Sequence, residues 1–145
     1  MFNWIKKHTA LILVMLFICA ASSFASAKEL RKTQPTPTLL VIKREHCPHC
    51  EQWQNDVYAH WQELGLESKL PQKHIRILDA EKEEDMKRLI DLLNAGKIKD
   101  DIHFVPTFIL LNERDEEIPS CRISGYKNIA GFKQDVQRVL SNYRK

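Results

Sequence analysis

The chain has 145 residues, of which 43% are hydrophobic and 28% charged, and its formal net charge at pH 7 is +3. A chain of this length can bury a hydrophobic core as a single globular domain without disulfides to staple it. Residues 1–27 contribute two lysines and no acids, so residues 28–145 carry a net charge of only +1. So small a charge excludes a polyanion-binding surface as the main function, and no nucleic-acid partner is predicted.

The first 27 residues have the three regions of a cleavable secretory signal. A basic start precedes an apolar run of 13 residues (9–21), and the small-x-small sequence Ala25-Ser26-Ala27 follows. The alternative interpretation is a membrane anchor, but this run is shorter than the roughly 20 residues that span a bilayer. We therefore predict a signal peptide over 1–27, cleavage before Lys28, a periplasmic location and no stable membrane insertion.

The next segments predict a strand followed by a helix. Residues 28–37 form a polar, proline-containing lead-in, and residues 38–145 are predicted to be one domain. The short apolar run 39–42 is typical of a strand buried on both faces. The cysteine motif His46-Cys47-Pro48-His49-Cys50 comes directly after it. Beyond the motif, apolar residues recur at helical spacing until Gly65 ends the pattern: Trp53, Val57, Trp61 and Leu64.

The rest of the chain predicts three more strands and two more helices. Strands are expected at 74–79, 108–111 and 118–124, with the polar run 112–117 joining the last two as a hairpin. The helices have apolar faces formed by Met86, Leu89, Ile90 and Leu93, and by Ile129, Phe132, Val136, Val139, Leu140 and Tyr143. The order β-α-β-α-β-β-α predicts an α/β fold, in which the βα units form a parallel pair and the hairpin adds antiparallel strands.

Three cysteines remain once the signal, with Cys19, has been removed: Cys47, Cys50 and Cys121. Their odd number means that at least one thiol has no permanent partner within the chain. The first two are separated by only two residues, and so short a loop stabilises a fold poorly, so this pair is interpreted as reactive. Cys121 is interpreted as a buried apolar filler, with an intermolecular disulfide as the alternative.

A CxxC pair directly after a buried strand and at the start of a helix is a specific arrangement. Cys47 is expected at the first helical turn, where free N–H groups and the helix dipole stabilise a thiolate, and Pro48 suits the first helical position. Cys50, one turn along and more deeply buried, is expected to attack a mixed disulfide formed by Cys47. His49 is expected to stabilise the Cys47 thiolate, which makes the disulfide a stronger oxidant; the alternative is an exposed bystander, the interpretation we give to His46.

A second motif, Val105-Pro106-Thr107, leads into the third predicted strand. The succession of strand, CPHC, helix, Val-Pro-Thr before an apolar strand, hairpin with Gly125 and closing helix resembles the thioredoxin superfamily over about residues 38–143. The resemblance implies a thioredoxin fold with a mixed four-stranded sheet flanked by helices. It also implies a cis bond before Pro106, and a substrate site at 105–107 in which Val105 pairs with the client main chain.

The resemblance implies a thiol–disulfide oxidoreductase that acts on the thiols or disulfides of client proteins. The CPHC tetrad is that of DsbA-type periplasmic oxidants, but only residues 51–105 separate Cys50 from Pro106, too few for the helical domain of DsbA. The body is more similar to small periplasmic proteins of the SoxS and SoxW kind. We therefore favour a monomeric reductase or general interchange enzyme kept charged by a membrane redox partner, with a DsbA-like disulfide donor as the alternative.

Two positions depart from the thioredoxin pattern. Val41 lies six residues before the first cysteine, where thioredoxins carry a buried acid, and His46 occupies the place of their tryptophan. The usual proton acceptor for the Cys50 thiol is therefore missing from this sequence. Glu45 and Lys43 are the candidates that the sequence offers in its place.

A metal-binding module is the remaining alternative, because the cysteines and histidines of the motif are all potential soft ligands. Four such residues within the five positions 46–50 converge poorly on one ion when the last three begin a helix. No second pair of cysteine or histidine residues supplies further ligands. We therefore predict neither a metal nor a cofactor, and keep a copper chaperone or other metal-binding module as an alternative function.

Overall fold

The computed structural model describes residues 35–100 and 102–144. The predicted signal peptide and most of the lead-in lie outside the described residues. The described elements, in chain order, are β1 (Thr38–Lys43), α1 (Pro48–Trp53), β2 (Ile75–Asp79), α2 (Glu83–Asn94), β3 (Thr107–Leu111), β4 (Glu117–Ser124) and α3 (Ile129–Tyr143). This order confirms the β-α-β-α-β-β-α prediction. No helix within these residues is both long enough and apolar enough to cross a membrane.

The four strands form one mixed sheet in the order β2-β1-β3-β4. β1 runs parallel to β2, with Val41 opposite Ile77, and antiparallel to β3, with Leu39 opposite Leu110. β3 and β4 form the predicted antiparallel hairpin. β1, the strand that leads into the cysteine motif, is therefore a central strand of the sheet.

Helices cover both faces of the sheet, which explains why the whole apolar run 39–42 is buried. Successive side chains of a strand point to opposite faces. Leu39 and Val41 therefore pack in the larger cluster, with side chains from α1 and α3, whereas Leu40 and Ile42 pack in the smaller cluster with α2. The central strand thus makes no contact with water along its apolar length.

Aromatic side chains fix the position of α1 against the sheet. The ring of Trp53 lies 5.1 Å from that of Phe108 in β3, and Phe108 lies 4.9 Å from Phe132 in α3, measured between ring centroids. Tilted and edge-on aromatic pairs at this spacing add to the stabilisation from buried area. The helix that begins at the cysteine motif is therefore held against both β3 and α3.

The helix after the motif differs from the regular helix that its apolar spacing predicts. The α-helix ends at Trp53, a π-helical turn follows over Gln54–Tyr58, and turns continue the chain to Gly65 at φ +71°. The Ala59 N–H donates to the Gln54 carbonyl at 2.9 Å, a bond that spans five residues. Such a wide turn suits the apolar spacing of four residues from Trp53 onwards, which would drift around a helix of 3.6 residues per turn.

The boundaries of the remaining elements agree with those predicted from the sequence to within a few residues. β2 begins at Ile75 and is preceded by a 3-10 turn over Gln72–His74, which takes up the first position of the predicted strand. α2 begins in an acid-rich first turn, where negative side chains interact favourably with the helix dipole. Asn128 caps α3, because its side chain accepts a hydrogen bond from the Gly131 N–H at 2.8 Å.

Candidate active site

A disulfide joins Cys47 and Cys50 at the junction of β1 and α1. His46 turns the chain at this junction with φ +54°, Cys47 is the N-cap of α1, and Pro48 is the first helical residue. Pro48 fits this position because its fixed φ suits a helix and its missing N–H would have no partner there. The local sequence thus places both sulfur atoms at the start of the helix.

The two cysteines differ in their access to solvent. Cys47 is half-buried, whereas Cys50 is buried with a relative exposure of 1%. Pro48 and His49, between them, and His46, before them, are exposed. Cys47 is therefore the more accessible cysteine of the pair, which is the difference that the predicted roles require.

The backbone at the start of α1 points a hydrogen-bond donor at the sulfur of Cys47. The Cys50 N–H lies 3.2 Å from Cys47 Sγ and is shared with the Cys47 carbonyl at 3.0 Å. The Glu51 N–H donates to the same carbonyl at 3.0 Å. A donor in this position stabilises a negative charge on sulfur better than it stabilises a neutral disulfide.

The predicted substrate site lies against the same sulfur atom. The Val105–Pro106 peptide bond is cis, as the resemblance implies, and the Val105 carbonyl oxygen lies 3.8 Å from Cys47 Sγ. A disulfide sulfur carries no proton, so this is a packing contact in the oxidised state, and a thiol at Cys47 could donate across it. The N–H of Val105 has no hydrogen-bond partner among residues 35–100 and 102–144.

The residues on either side of Val105 are held in place by hydrogen bonds. The Pro106 carbonyl accepts the Gly125 N–H at 2.8 Å, and the Thr107 hydroxyl donates to the Phe104 carbonyl. Both Pro106 and Thr107 are buried, whereas Val105 is half-buried. Pro106 and Thr107 therefore shape the loop, and Val105 is the member of the predicted trio whose backbone faces the disulfide.

Sequence reasoning missed the partner of one candidate proton acceptor. Lys43 Nζ lies 2.6 Å from Asp79 Oδ2, at the ends of β1 and β2, and Asp79 is only 2% exposed. Burial raises the pKa of Asp79, but hydrogen bonds from Lys43 and the Glu81 N–H, together with nearby positive charge, outweigh burial and hold this pKa below its usual value. Lys43 is thus engaged as a donor to Asp79, and its role as a proton acceptor for Cys50 stays a prediction.

Glu45, the other candidate, is exposed at the mouth of the motif. Its carboxylate lies at the surface with the side chains of His46 and Glu81 as neighbours: a carboxylate oxygen of Glu45, a ring nitrogen of His46 and a carboxylate oxygen of Glu81 all lie within 4.8 Å of one another. Glu81 also pairs with Arg44 at 3.1 Å. Two signals could have revealed the Lys43–Asp79 pair. Lys43 directly follows the predicted strand 39–42 and Asp79 ends the predicted strand 74–79, and the carboxyl ends of neighbouring parallel strands meet at one edge of the sheet.

A second missed contact links the motif helix to the loop after β4. The Tyr126 hydroxyl donates to Asp56 Oδ2 at 3.1 Å, and Asp56 lies in the π-helical turn. Burial, and then the hydrogen bond to Asp56 and its negative charge, raise the pKa of Tyr126 to about 12. Gly125, next to this tyrosine, is the residue that donates to Pro106. The loop after β4 therefore supports both the helix and the cis-proline loop.

Cys121 lies apart from the disulfide in sequence and is buried in β4. Its Sγ lies 3.3 Å from the Val139 carbonyl of α3, and it packs in the larger hydrophobic cluster. Burial raises the pKa of its thiol. This environment agrees with the interpretation of Cys121 as an apolar filler.

The sheet order β2-β1-β3-β4, the CxxC disulfide after the central strand and the cis-proline loop beside it define a thioredoxin fold. Among solved structures, the chain is similar to the periplasmic thioredoxin SoxS from Paracoccus pantotrophus in its reduced form. The TM-score is 0.55 at 20% sequence identity, and the match covers 74% of this chain and 98% of SoxS. At this level of identity, the likeness shows the fold.

Two further solved structures are more distant. The thioredoxin from Aeropyrum pernix has a TM-score of 0.43 at 14% identity, over 71% of this chain and 74% of that protein. StoA from Bacillus subtilis has a TM-score of 0.37 at 17% identity, over 72% of this chain and 84% of StoA. Both TM-scores are under 0.5, so neither structure supports a conclusion about this chain. No protein-family model matches the chain, and no curated protein matches it significantly.

Proposed function

We propose that this protein is a thiol–disulfide oxidoreductase that exchanges disulfides with client proteins through Cys47 and Cys50. The observation that carries the proposal is the Cys47–Cys50 disulfide at the start of α1, in which Cys47 is half-buried and Cys50 is buried. Neither the length of the chain nor the size of its core requires a staple across two intervening residues. A reactive role accounts for the pair better than a structural role does.

In the reducing direction, the Cys47 thiolate attacks one sulfur of a client disulfide. A mixed disulfide forms and the client's other sulfur leaves as a thiolate. The Cys50 thiolate then attacks Cys47 Sγ, which closes the intramolecular disulfide and releases the second client thiolate. Two electrons pass from the pair to the client, and the reverse sequence oxidises a client dithiol. The Cys50 N–H, 3.2 Å from Cys47 Sγ, stabilises the attacking thiolate.

The client segment is proposed to lie along Val105, Pro106 and Thr107. The Val105 N–H, which has no partner within the described residues, and the Val105 carbonyl, 3.8 Å from Cys47 Sγ, offer one donor and one acceptor to an extended main chain. Strand addition of this kind recognises backbone and therefore tolerates many client sequences. Pro106 and Thr107 hold this edge in position through their contacts with Gly125 and Phe104.

The direction of electron flow is proposed to be reduction or general interchange. Only residues 51–105 separate the motif from Pro106, and this compact body suits a reductase that a membrane redox partner keeps charged. The exposed His49 between the cysteines supports the alternative, a disulfide donor, because a hydrogen-bond donor or a positive charge beside Cys47 favours the reduced pair. The reduction potential distinguishes the two directions, because disulfide donors have potentials of about −120 mV and reductases of about −270 mV.

The protein is proposed to work in the periplasm as a monomer after removal of residues 1–27. The basic, apolar and small-residue regions of that segment support export. The similar SoxS structure is that of a periplasmic thioredoxin, which is consistent with the same location. An oxidising compartment also suits a disulfide exchange enzyme, which meets both thiols and disulfides there.

Separate substitution of the two cysteines tests the mechanism. Cys47→Ser should abolish reduction of a protein disulfide, whereas Cys50→Ser should trap a mixed disulfide on Cys47 that is visible by mass and released by dithiothreitol. Cys121→Ser is the matched control and should leave exchange unchanged, since that thiol is buried. Faster alkylation of Cys50 than of Cys47 in the reduced protein would reverse the roles and refute the mechanism.

A further inference from the structure

Phe104 is the most exposed large apolar side chain in the described part of the chain. Its relative exposure is 67%, compared with 44% for Ile90 and 37% for Ile129. A single exposed apolar residue is ordinary on a protein surface. Phe104 differs in its position, because it immediately precedes Val105, whose carbonyl lies 3.8 Å from Cys47 Sγ. Neither the exchange mechanism nor the packing of the core makes use of its ring.

The backbone holds Phe104 close to the disulfide. Its carbonyl accepts a hydrogen bond from the Thr107 hydroxyl, and Thr107 is buried at the start of β3. The intervening Pro106 is buried and accepts the Gly125 N–H. The Cα atoms of Phe104 and Val105 are about 3.8 Å apart, the spacing of consecutive residues. Phe104 therefore belongs to an anchored loop, one residue from the carbonyl that lies beside the reactive sulfur.

We propose that Phe104 binds an apolar side chain next to the reactive cysteine of a client polypeptide and so determines which clients are preferred. The inference rests on the proposed exchange function. When the client cysteine is bonded to Cys47 and its main chain lies along Val105, the client residues beside that cysteine face the neighbours of Val105. Phe104 is one residue away, so it meets a client residue adjacent to the cysteine or one position further.

The surroundings of the disulfide favour an apolar occupant over a charged one. The exposed Phe104 and Pro48 rings are the apolar groups near Cys47, whereas the exposed carboxylates of Glu45 and Glu51 lie two and four residues from it in sequence. A charged client residue placed against the two rings would lose hydration there without gaining an opposite charge from them. An apolar client residue removes both its own surface and the Phe104 ring from water, which is favourable.

The test compares two disulfide-linked peptides that are identical except for leucine or serine beside the cysteine. Phe104→Ala should lower kcat/KM for the leucine peptide by about tenfold, the loss expected for one well-placed contact side chain. It should change kcat/KM for the serine peptide, and the rate of exchange with dithiothreitol, by less than about twofold. Phe104→Leu should retain most of the preference. Ile90→Ala, which removes an exposed apolar side chain from α2, is the matched control and should change nothing.

An equal loss for both peptides would overturn the inference, because it would show that Phe104 acts on the reactivity of Cys47. An unchanged preference in Phe104→Ala would overturn it as well. Self-association through Phe104 would also overturn the inference, because the ring would then contact a second copy of the chain. It would appear as an elution volume that depends on protein concentration in the unsubstituted protein but not in Phe104→Ala. Failure of the unsubstituted protein to exchange even with dithiothreitol would refute the proposed function itself, a separate result.

Discussion

Single residues decide how the Cys47–Cys50 pair balances its two redox states. The N–H of Cys50 points at Cys47 Sγ, and His49 is exposed in the two-residue loop between the cysteines. The backbone donor stabilises a thiolate at Cys47 more than it stabilises the disulfide, and so raises the reduction potential of the pair. We expect His49 to act in the same direction. The backbone donor is common to any residue at this position, whereas the histidine is particular to the tetrad, so substitution can isolate its effect.

We expect His49→Ala to lower the reduction potential of the Cys47–Cys50 couple. The reduced form would lose a cation or donor, and the loss should be on the order of 30 mV, which is about 1.4 kcal/mol in a two-electron couple. Equilibration with defined glutathione mixtures, followed by alkylation and mass analysis, measures this potential directly. The equilibrium with a client disulfide should shift towards the reduced client by about tenfold.

His46 provides the control for this experiment. It is also exposed and adjacent to Cys47, but it lies outside the two-residue loop and has φ +54°. His46→Asn is the suitable change, because asparagine tolerates a left-handed backbone and alanine does not. The potential of this variant should stay closer to that of the unsubstituted protein. An unchanged potential in His49→Ala would make that histidine a bystander and remove the main argument for a disulfide donor.

At the scale of elements, the Lys43–Asp79 pair joins the ends of β1 and β2 just before the motif. The two charges lie 2.6 Å apart, and their side chains are 18% and 2% exposed. Removing one partner of a buried pair leaves the other charge without compensation, which costs more than the intact pair contributes. The strand that ends at the cysteine motif is thus tied to its neighbour by an interaction sensitive to pH.

We expect Asp79→Asn to lower the free energy of unfolding at pH 7 by about 3–5 kcal/mol. The pKa of Asp79 is below its usual value in the folded protein, so its carboxylate stabilises the fold at every pH above the unfolded-state value of about 3.9. That contribution is lost as the pH falls through the lower, folded-state value. The difference between the variant and the unsubstituted protein should therefore shrink below about pH 4. Urea unfolding at pH 7, 5 and 3 measures it.

Glu81→Gln is a matched control for Asp79→Asn. It removes a carboxylate two residues away whose partner, Arg44, is exposed. An exposed pair contributes less than about 1 kcal/mol, so this variant should be nearly as stable as the unsubstituted protein at all three pH values. If Asp79→Asn proved equally mild, or if its deficit were the same at pH 3 as at pH 7, the buried pair would not have the stabilising role described.

At the scale of the whole molecule, the sequence predicts that the chain is exported and its signal peptide removed. We expect protein recovered from the periplasm to begin at Lys28, because signal peptidase cleaves after the small-x-small sequence 25–27. Intact-mass analysis gives the first residue. Ala27→Leu removes the small residue at the cleavage position and should leave a heavier chain in the membrane fraction. Recovery of the unsubstituted chain at full length in that fraction would contradict the prediction and indicate an anchor.

Much of the architecture follows from local patterns in the sequence. The continuous apolar run 39–42 predicts a buried strand, because both faces of a central strand are covered. The cis bond before Pro106 was predicted from the resemblance of the Val105-Pro106-Thr107 motif to that of the thioredoxin superfamily. The π-helical turn was missed because a spacing of four residues from Trp53 to Trp61 is also acceptable for two turns of an α-helix, and the drift that favours a wider turn shows only over a longer run. Contacts between distant residues were also missed, such as Lys43 with Asp79 and Tyr126 with Asp56, because they depend on register and on how helices lie on the sheet.

Cys121, which lies beneath α3, can report how the folded chain opens locally. Its sulfur touches the Val139 carbonyl, so an alkylating reagent can reach it only when α3 separates from β4. While the other two described cysteines are joined, Cys121 is the free thiol of the described residues. The rate at which it is modified therefore reports the free energy of a local opening, and comparison with global unfolding shows whether α3 detaches alone or with the rest of the fold.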